Sequence, residues 1–309
     1  MISNMANADK EFATKETSML LSDRVDGADL GYVSNLVRNI LLSHGYIEVF
    51  TPVLRADDSV VNPRFSVIGN NGRARYLRDC MELPLRKYIS DQRPKVFEIG
   101  PCFRQGEDDA THSEAFYMME LYSLDQSLDA MLLLTASIIE AVLGCRVTKK
   151  IISMKGVIQE EFDLDITSAS TESLVSGITE KYPRLAAEAG YKVVNRYIDL
   201  KEPELFTEDD VLYFLTDYPL CTIDSAKRVE NENRIFRFEA FYNGKEIAHA
   251  FVDSMDSYDL QKRIEPGETM DPEKEELITL TKNGRLCPTV GLGIGIDRLA
   301  LLLKEKSND

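Results

Sequence analysis

The run Gly291-Leu-Gly-Ile-Gly-Ile-Asp-Arg298 constrains this chain more than any other stretch. It is a glycine-spaced apolar strand that delivers one arginine and then continues into an apolar helix, Leu299-Ala-Leu-Leu-Leu303. A second strand, Phe97-Glu-Ile-Gly-Pro-Cys-Phe-Arg104, also ends in an arginine. After it, Gln105 to Ser113 form a polar loop, and Phe116-Tyr-Met-Met-Glu-Leu-Tyr122 resumes alternating apolar structure. Two strands that each present a guanidinium point to a nucleoside triphosphate site, because arginine is a planar, permanently charged fork that matches phosphate oxygens and stacks on adenine.

Composition narrows the options. The 309 residues, 44% of them apolar, suffice for one large core or two modest ones. No stretch approaches the ~20 apolar residues needed to span a bilayer. Residues 1–15 are polar with mixed charge, so neither a signal peptide nor an anchor is expected, and the expected compartment is the cytoplasm. Cys80, Cys102, Cys145, Cys221 and Cys287 are odd in number and contain no CxxC pair, which favours reduced, buried thiols over a disulfide or zinc site. The net charge of −16 disfavours a tight grip on tRNA, which needs a basic face; Lys149-Lys150 and Lys304 to Lys306 are short clusters and read as solvated ends.

Residues 1–25, rich in Ser, Asn, Lys and Glu, read as a mobile N-terminal arm, and residues 26–309 as one catalytic domain. Asp26-Gly-Ala-Asp29 offers caps for a helix with Leu30, Val33, Val37, Ile40 and Leu41 on one face, stopped by Gly45. Tyr46 to Val49 is a strand ended by Pro52; Tyr76 to Ile89 is a strand running into a helix; Leu128 to Leu143 is an amphipathic helix. Residues 145–220 break this rhythm, with short helices expected at Leu174 to Ile178, Tyr182 to Ala189 and Glu208 to Phe214, and are read as an insertion. Strands return at Arg234 to Tyr242 and Glu246 to Asp253 around the turn Asn243-Gly244. The expected class is α+β, a mainly antiparallel sheet flanked by helices.

Four segments in this order resemble the catalytic core of the class II aminoacyl-tRNA synthetases, lysyl branch: Leu36 to Pro52, Phe103-Arg104 through Phe116, Arg237-Phe-Glu-Ala-Phe-Tyr-Asn-Gly-Lys-Glu246, and Gly291 to Arg298. The resemblance covers most of residues 25 to 305 and implies a homodimer built on the first helix and strand. Phe97 to Arg104 is also similar to pyrrolysyl-tRNA synthetase. Full lysyl and aspartyl enzymes carry an additional N-terminal anticodon-binding barrel, whereas about 25 polar residues precede the first motif here, so a freestanding core is expected.

The resemblance assigns residues as follows. Arg104 would clamp the α-phosphate and the amino-acid carboxylate, and Arg298 would lie against the γ-phosphate or near adenine. His112 and Phe116 would contact the triphosphate and sandwich the adenine. Glu239 and Glu246, seven apart on two limbs of a hairpin, would bind Mg²⁺ beside ATP; they converge only if the hairpin bends or the ions bridge them. The family's Arg-x-Glu is here Arg104-Gln-Gly-Glu107, so either Glu107 replaces that acid or backbone contacts the adenine amino group. Glu82 would anchor the substrate α-ammonium, and Glu120 and Tyr122 would line the side-chain pocket. At the pocket floor the family's Asn-x-Phe/Tyr-x-Glu becomes His249-Ala-Phe251-Val-Asp253, whose shortened acid suits a longer or N-substituted basic amino acid.

The expected function is ATP-dependent activation of lysine or an analogue as an aminoacyl-adenylate. Transfer to a protein lysine or other amine, without tRNA, would follow, as in the freestanding lysyl-tRNA synthetase paralogues that modify elongation factor P. Gly293 departs from the alanine those paralogues tend to carry. The alternatives are an aminoacyl-tRNA synthetase lacking the barrel and a catalytically silent regulatory paralogue.

Overall fold

The computed structural model describes residues 21, 25–59, 64–106, 112–124, 126–188, 190–222, 225–264 and 270–308. The chain opens with α1 (Gly27–Ser43), whose N-cap Asp26 accepts the Ala28 N–H, and stops at His44 and the left-handed Gly45. Next come β1 (Ile47–Glu48), β2 (Leu54–Arg55), β3 (Ser66–Ile68), β4 (Ala74–Leu77), α2 (Glu82–Arg86), β5 (Lys95–Phe103) and β6 (Ala115–Ser123). Then follow α3 (Leu128–Leu143), β7 (Thr148–Ser153), α4 (Met154–Phe162), α5 (Thr171–Lys181), α6 (Tyr191–Leu205) and β8 (Val211–Thr216). The hairpin β9 (Arg237–Tyr242) and β10 (Lys245–Val252), α7 (Ser257–Lys262), α8 (Pro272–Lys282), β11 (Val290–Gly295) and α9 (Ile296–Asn308) complete it.

Eight strands form one sheet in the order β1-β5-β6-β11-β10-β9-β8-β7. Only β1/β5 and β7/β8 are parallel, so the sheet is mainly antiparallel, as expected. A small sheet, β2-β4-β3, lies apart from it. The expected helix over Glu208 to Phe214 is instead β8. Its run Val-Leu-Tyr-Phe-Leu is buried on both sides, which removes the alternation that would have identified a strand. Through β7 and β8 the 145–220 segment builds one edge of the main sheet. Of the helix expected over Tyr182 to Ala189, the described residues form a 3₁₀ turn, Pro183–Ala187, and Ala189 lies outside the described residues.

The faces of the sheet have different covers. On one, α1, α3 and α9 bury a continuous core with Phe97, Met119, Leu121, Phe214, Phe238, Ala250 and Leu292. On the other, two separate clusters sit at opposite ends. Helices α4 to α6 pack on Tyr213, Leu215, Phe241 and Phe251, while Met81, Leu85 and Ile89 pack on Val96, Cys102 and Tyr122. Between these clusters, the cavity described below opens above β11 among the described residues. Near its inner wall, Arg78 is 1% exposed and ties three segments together. It bonds Glu98, Thr51 and the Pro101 carbonyl, and a side chain on Gly100 would collide with it. Glu98 also accepts the Thr51 N–H, fixing the chain just before Pro52.

Residues 1–20 and 22–24 of the expected arm lie outside the described residues. Leu21 is described; it is buried and stands on the cavity wall. All five cysteines are free thiols, but only Cys102 is fully buried and Cys145 is exposed. No described helix is long and apolar enough to cross a membrane.

Candidate active site

Strand register explains how the site assembles. Glu98, Glu120, Gly293, His249 and Glu239 follow one another across β5, β6, β11, β10 and β9, so all five share one face of the sheet. Tyr122, Gly291, Phe251 and Arg237 form the adjacent row. In the middle strand three glycines replace side chains, which leaves a cavity of about 440 Å³ above β11. Gly291 is required there, since a β-carbon would meet the Tyr122 ring at 2.5 Å. The cavity wall includes Glu82, Arg104, His112, Phe116, Glu120, Tyr122, Glu246, His249, Phe251, Gly293 and Arg298. Thus most of the residues singled out from the sequence are brought together. Glu107 lies outside the described residues.

The two arginines occupy one end. Arg104 follows β5 and its guanidinium lies 5.2 Å from the Phe116 ring centroid, a cation–π contact. Arg298, in the first turn of α9, donates to the Glu246 carbonyl at 2.7 Å and to its carboxylate at 3.2 Å. Neighbouring Asp297 accepts the Tyr117 N–H, which pins the helix start to β6.

Glu239 and Glu246 reach the same face by a β-bulge. The register shifts between Glu246 and Ala248, pairing Glu246 with Phe241 and His249 with Glu239. Without the extra residue, alternation would turn Glu246 into the core. Burial and the charge of Glu239 raise the Glu246 carboxyl above its ordinary range, against the pull of Arg298. Glu239 is not on the cavity wall: it pairs with Arg237 and accepts the Tyr218 hydroxyl at 2.6 Å. Burial acts upward on it, but Arg237 and these hydrogen bonds outweigh that and hold it low. Two acids on one face give oxygen ligands of the kind Mg²⁺ prefers, with Glu246 presented and Glu239 behind it. Among the described residues, a separate acid–thiol group, Asp79, Cys80 and Glu273, is already bridged by Arg64.

At the other end stands Glu120, 6% exposed. One of its oxygens accepts the Met81 N–H at 3.1 Å, and it has no ion pair among the described residues. Burial pushes its carboxyl up to about 7, partly opposed by that N–H and by Arg104. His249 lies across Gly293 from it. Burial, then Arg237 and Arg104, lower the imidazole to about 3, so it is neutral, and its buried Nε2 has no hydrogen-bond partner among the described residues.

Asp253 requires a correction. Its carboxylate is not offered at the cavity floor but is 1% exposed and absent from the wall. One oxygen lies 3.0 Å from Arg86, an ion pair without good hydrogen-bond alignment; the other accepts the Thr289 hydroxyl. Arg86 is itself buried and reaches within 3.8 Å of Glu82. Neither Arg86 nor Arg237 was expected from the sequence. Their signal was present, since Arg86 stands one helical turn after Glu82 and Arg237 two residues before Glu239.

Comparison with known proteins agrees with this layout. A family model described as tRNA synthetases class II (D, K and N) matches residues 31–308. The lysine–tRNA ligase of Chloroflexus aurantiacus is 30% identical over 309 aligned positions, covering 89% of this chain and 61% of the relative. That of Mycoplasma genitalium is 30% identical, covering 87% and 60%. Lysine–tRNA ligase 2 of Methanosarcina acetivorans is also 30% identical, covering 86% and 57%. The chain thus spans about three fifths of the length of these relatives.

Proposed function

This chain belongs to the class II tRNA synthetases of the D, K and N group, and from that membership we propose that it activates a basic amino acid on ATP. The observation that carries the reading is the cavity's polarity. Arg104 and Arg298 stand at one end and Glu120, buried with no ion pair among the described residues, at the other, with the glycines of β11 between them.

Arg104 and Arg298 hold the triphosphate, with adenine against Phe116. Glu82 receives the α-ammonium and Glu120 the side-chain cation, which directs the α-carboxylate toward Arg104. A carboxylate oxygen attacks the α-phosphorus, the bond to pyrophosphate breaks, and the guanidinium charges stabilise the developing negative charge. Mg²⁺, held by Glu246 with support from Glu239, would neutralise phosphate charge when bound. The acyl group then passes to an amine, of a protein such as elongation factor P or of a small molecule, with release of AMP. The net charge of −16 supports an acceptor that is not a polyanion. Transfer to tRNA is the second reading, favoured by the names of the relatives. Two copies are proposed to associate through the exposed apolar side chains of Tyr32, Leu42, Ile47, Phe50 and Leu54.

ATP–pyrophosphate exchange over a panel of amino acids tests activation without knowledge of the acceptor. Arg104→Ala and Arg298→Ala are each expected to lower exchange by about 100-fold or more with the fold intact. Near-normal exchange in either variant would remove the site assignment. Label transfer from the activated amino acid to tRNA, elongation factor P or small amines then separates the two acceptor readings.

A further inference from the structure

Glu82, Arg86 and Asp253 form a line that leads inward from the cavity. Glu82 stands on the cavity wall, whereas Arg86 and Asp253 are each 1% exposed and absent from it. One guanidinium nitrogen, Arg86 Nη1, faces both acids, 3.0 Å from Asp253 and 3.8 Å from Glu82. It makes no well-aligned hydrogen bond among the described residues, so charge rather than a fixed bond holds the three together.

Helix spacing by itself favours a closed Glu82–Arg86 pair, since the two are four apart on α2 and meet on one face. Such a pair would cancel the Glu82 charge, and the α-ammonium of an amino acid would have to displace a buried guanidinium in order to bind. Asp253 holds the nearer place beside Nη1 instead. It stands one residue past β10, and the Thr289 hydroxyl fixes its other oxygen. Burial raises the Asp253 carboxyl and Arg86 opposes this; a permanently charged guanidinium at 3.0 Å favours the carboxylate over the acid. Two acids and one guanidinium leave the trio with a net negative charge, and of the three only Glu82 presents it to the cavity.

We infer that Arg86 and Asp253 are positioning residues for recognition of the α-amino group: Asp253 draws the guanidinium off Glu82 and leaves that carboxylate charged for the α-ammonium of the incoming amino acid. The inference rests on the proposed binding of the α-ammonium by Glu82. Neither residue touches the substrate; both act through Glu82, and their effect is the same for every amino acid, whatever its side chain.

The test is ATP–pyrophosphate exchange with lysine, inhibited by 6-aminohexanoic acid, which keeps the side-chain ammonium and the carboxylate but has no α-ammonium. It compares the wild type, Glu82→Gln, Asp253→Asn and the double variant Arg86→Met/Asp253→Asn at a temperature where all are folded. In Asp253→Asn the Arg86 charge passes to Glu82, so KM for lysine should rise at least about tenfold, what one charge-assisted hydrogen bond contributes. The inhibition constant of 6-aminohexanoic acid should stay within about threefold of the wild type. The double variant removes the cation together with its counter-charge and should return KM for lysine to within about threefold of the wild type. An unchanged KM in Asp253→Asn, an equal loss for both compounds, or no recovery in the double variant overturns the inference and leaves activation standing. Glu82→Gln should raise KM for lysine and spare 6-aminohexanoic acid; if it does not, Glu82 is not the α-ammonium site and the inference falls with that premise. No exchange with any amino acid, basic or neutral, would overturn both the inference and the proposed activation.

Discussion

Glu120 and Asp253 are buried carboxylates beside the same cavity, and burial pushes both upward, yet their surroundings differ. Asp253 has a guanidinium at 3.0 Å and a hydroxyl from Thr289. Glu120 has one backbone N–H and no ion pair among the described residues. A buried acid that finds its cation inside the protein belongs to the frame. One that lacks a cation is incomplete until a ligand supplies it. On the proposed reading, the partner packed behind each acid, and not its position in a motif, decides which one meets the substrate.

Asp253→Asn leaves buried Arg86 only the longer 3.8 Å contact with Glu82 and is expected to cost about 3 kcal/mol in urea unfolding. The order of amino-acid preference should stay as in the wild type. A variant of normal stability and altered preference would reverse the roles assigned to the two acids. Next in size, Glu120→Gln should lower kcat/KM for a basic amino acid by about 30–100-fold, roughly 2–3 kcal/mol. Its unfolding midpoint should equal or exceed that of the wild type, because no ion pair among the described residues is lost.

Stability also depends on pH through Glu120. The Glu120 carboxyl stands at about 7 in the folded protein against an ordinary 4.5. Between those values the folded state holds a proton that the unfolded chain has released. The contribution is therefore fully present below about 4.5 and is lost as pH rises through 7. Comparing unfolding at pH 5 and pH 8, Glu120→Gln should remove a slope of order 1–2 kcal/mol. A cationic ligand displaces that proton, so its affinity should rise between pH 5.5 and 7.5; a flat profile would mean that it does not reach Glu120.

Much of the frame was legible. The helix Leu128–Leu143 has the boundaries its apolar spacing predicts, and Asn243-Gly244, both at positive φ, make the expected hairpin turn. What sequence could not show depends on partners brought from elsewhere in the chain. Val211–Thr216 is buried on both faces and so carries no alternation to identify it as a strand. The convergence of Glu239 and Glu246 turns on one bulged residue, which spacing alone does not reveal. Asp253 stands one residue past the end of β10, and its sealing depends on Arg86, 167 positions earlier, and on the Thr289 side chain. Likewise, a row of residues across five strands became a site only once the register was known.

The central claim is that Glu120, and not Asp253, receives the side-chain cation of an amino acid activated on ATP. The most direct measurement is the specificity ratio, basic over neutral amino acid, in ATP–pyrophosphate exchange for the wild type, Glu120→Gln and Asp253→Asn at a temperature where all three are folded. The ratio should collapse by about 30-fold or more in Glu120→Gln and stay within about threefold of the wild type in Asp253→Asn. A collapse confined to Asp253→Asn, or a wild type that prefers neutral amino acids, would contradict the account.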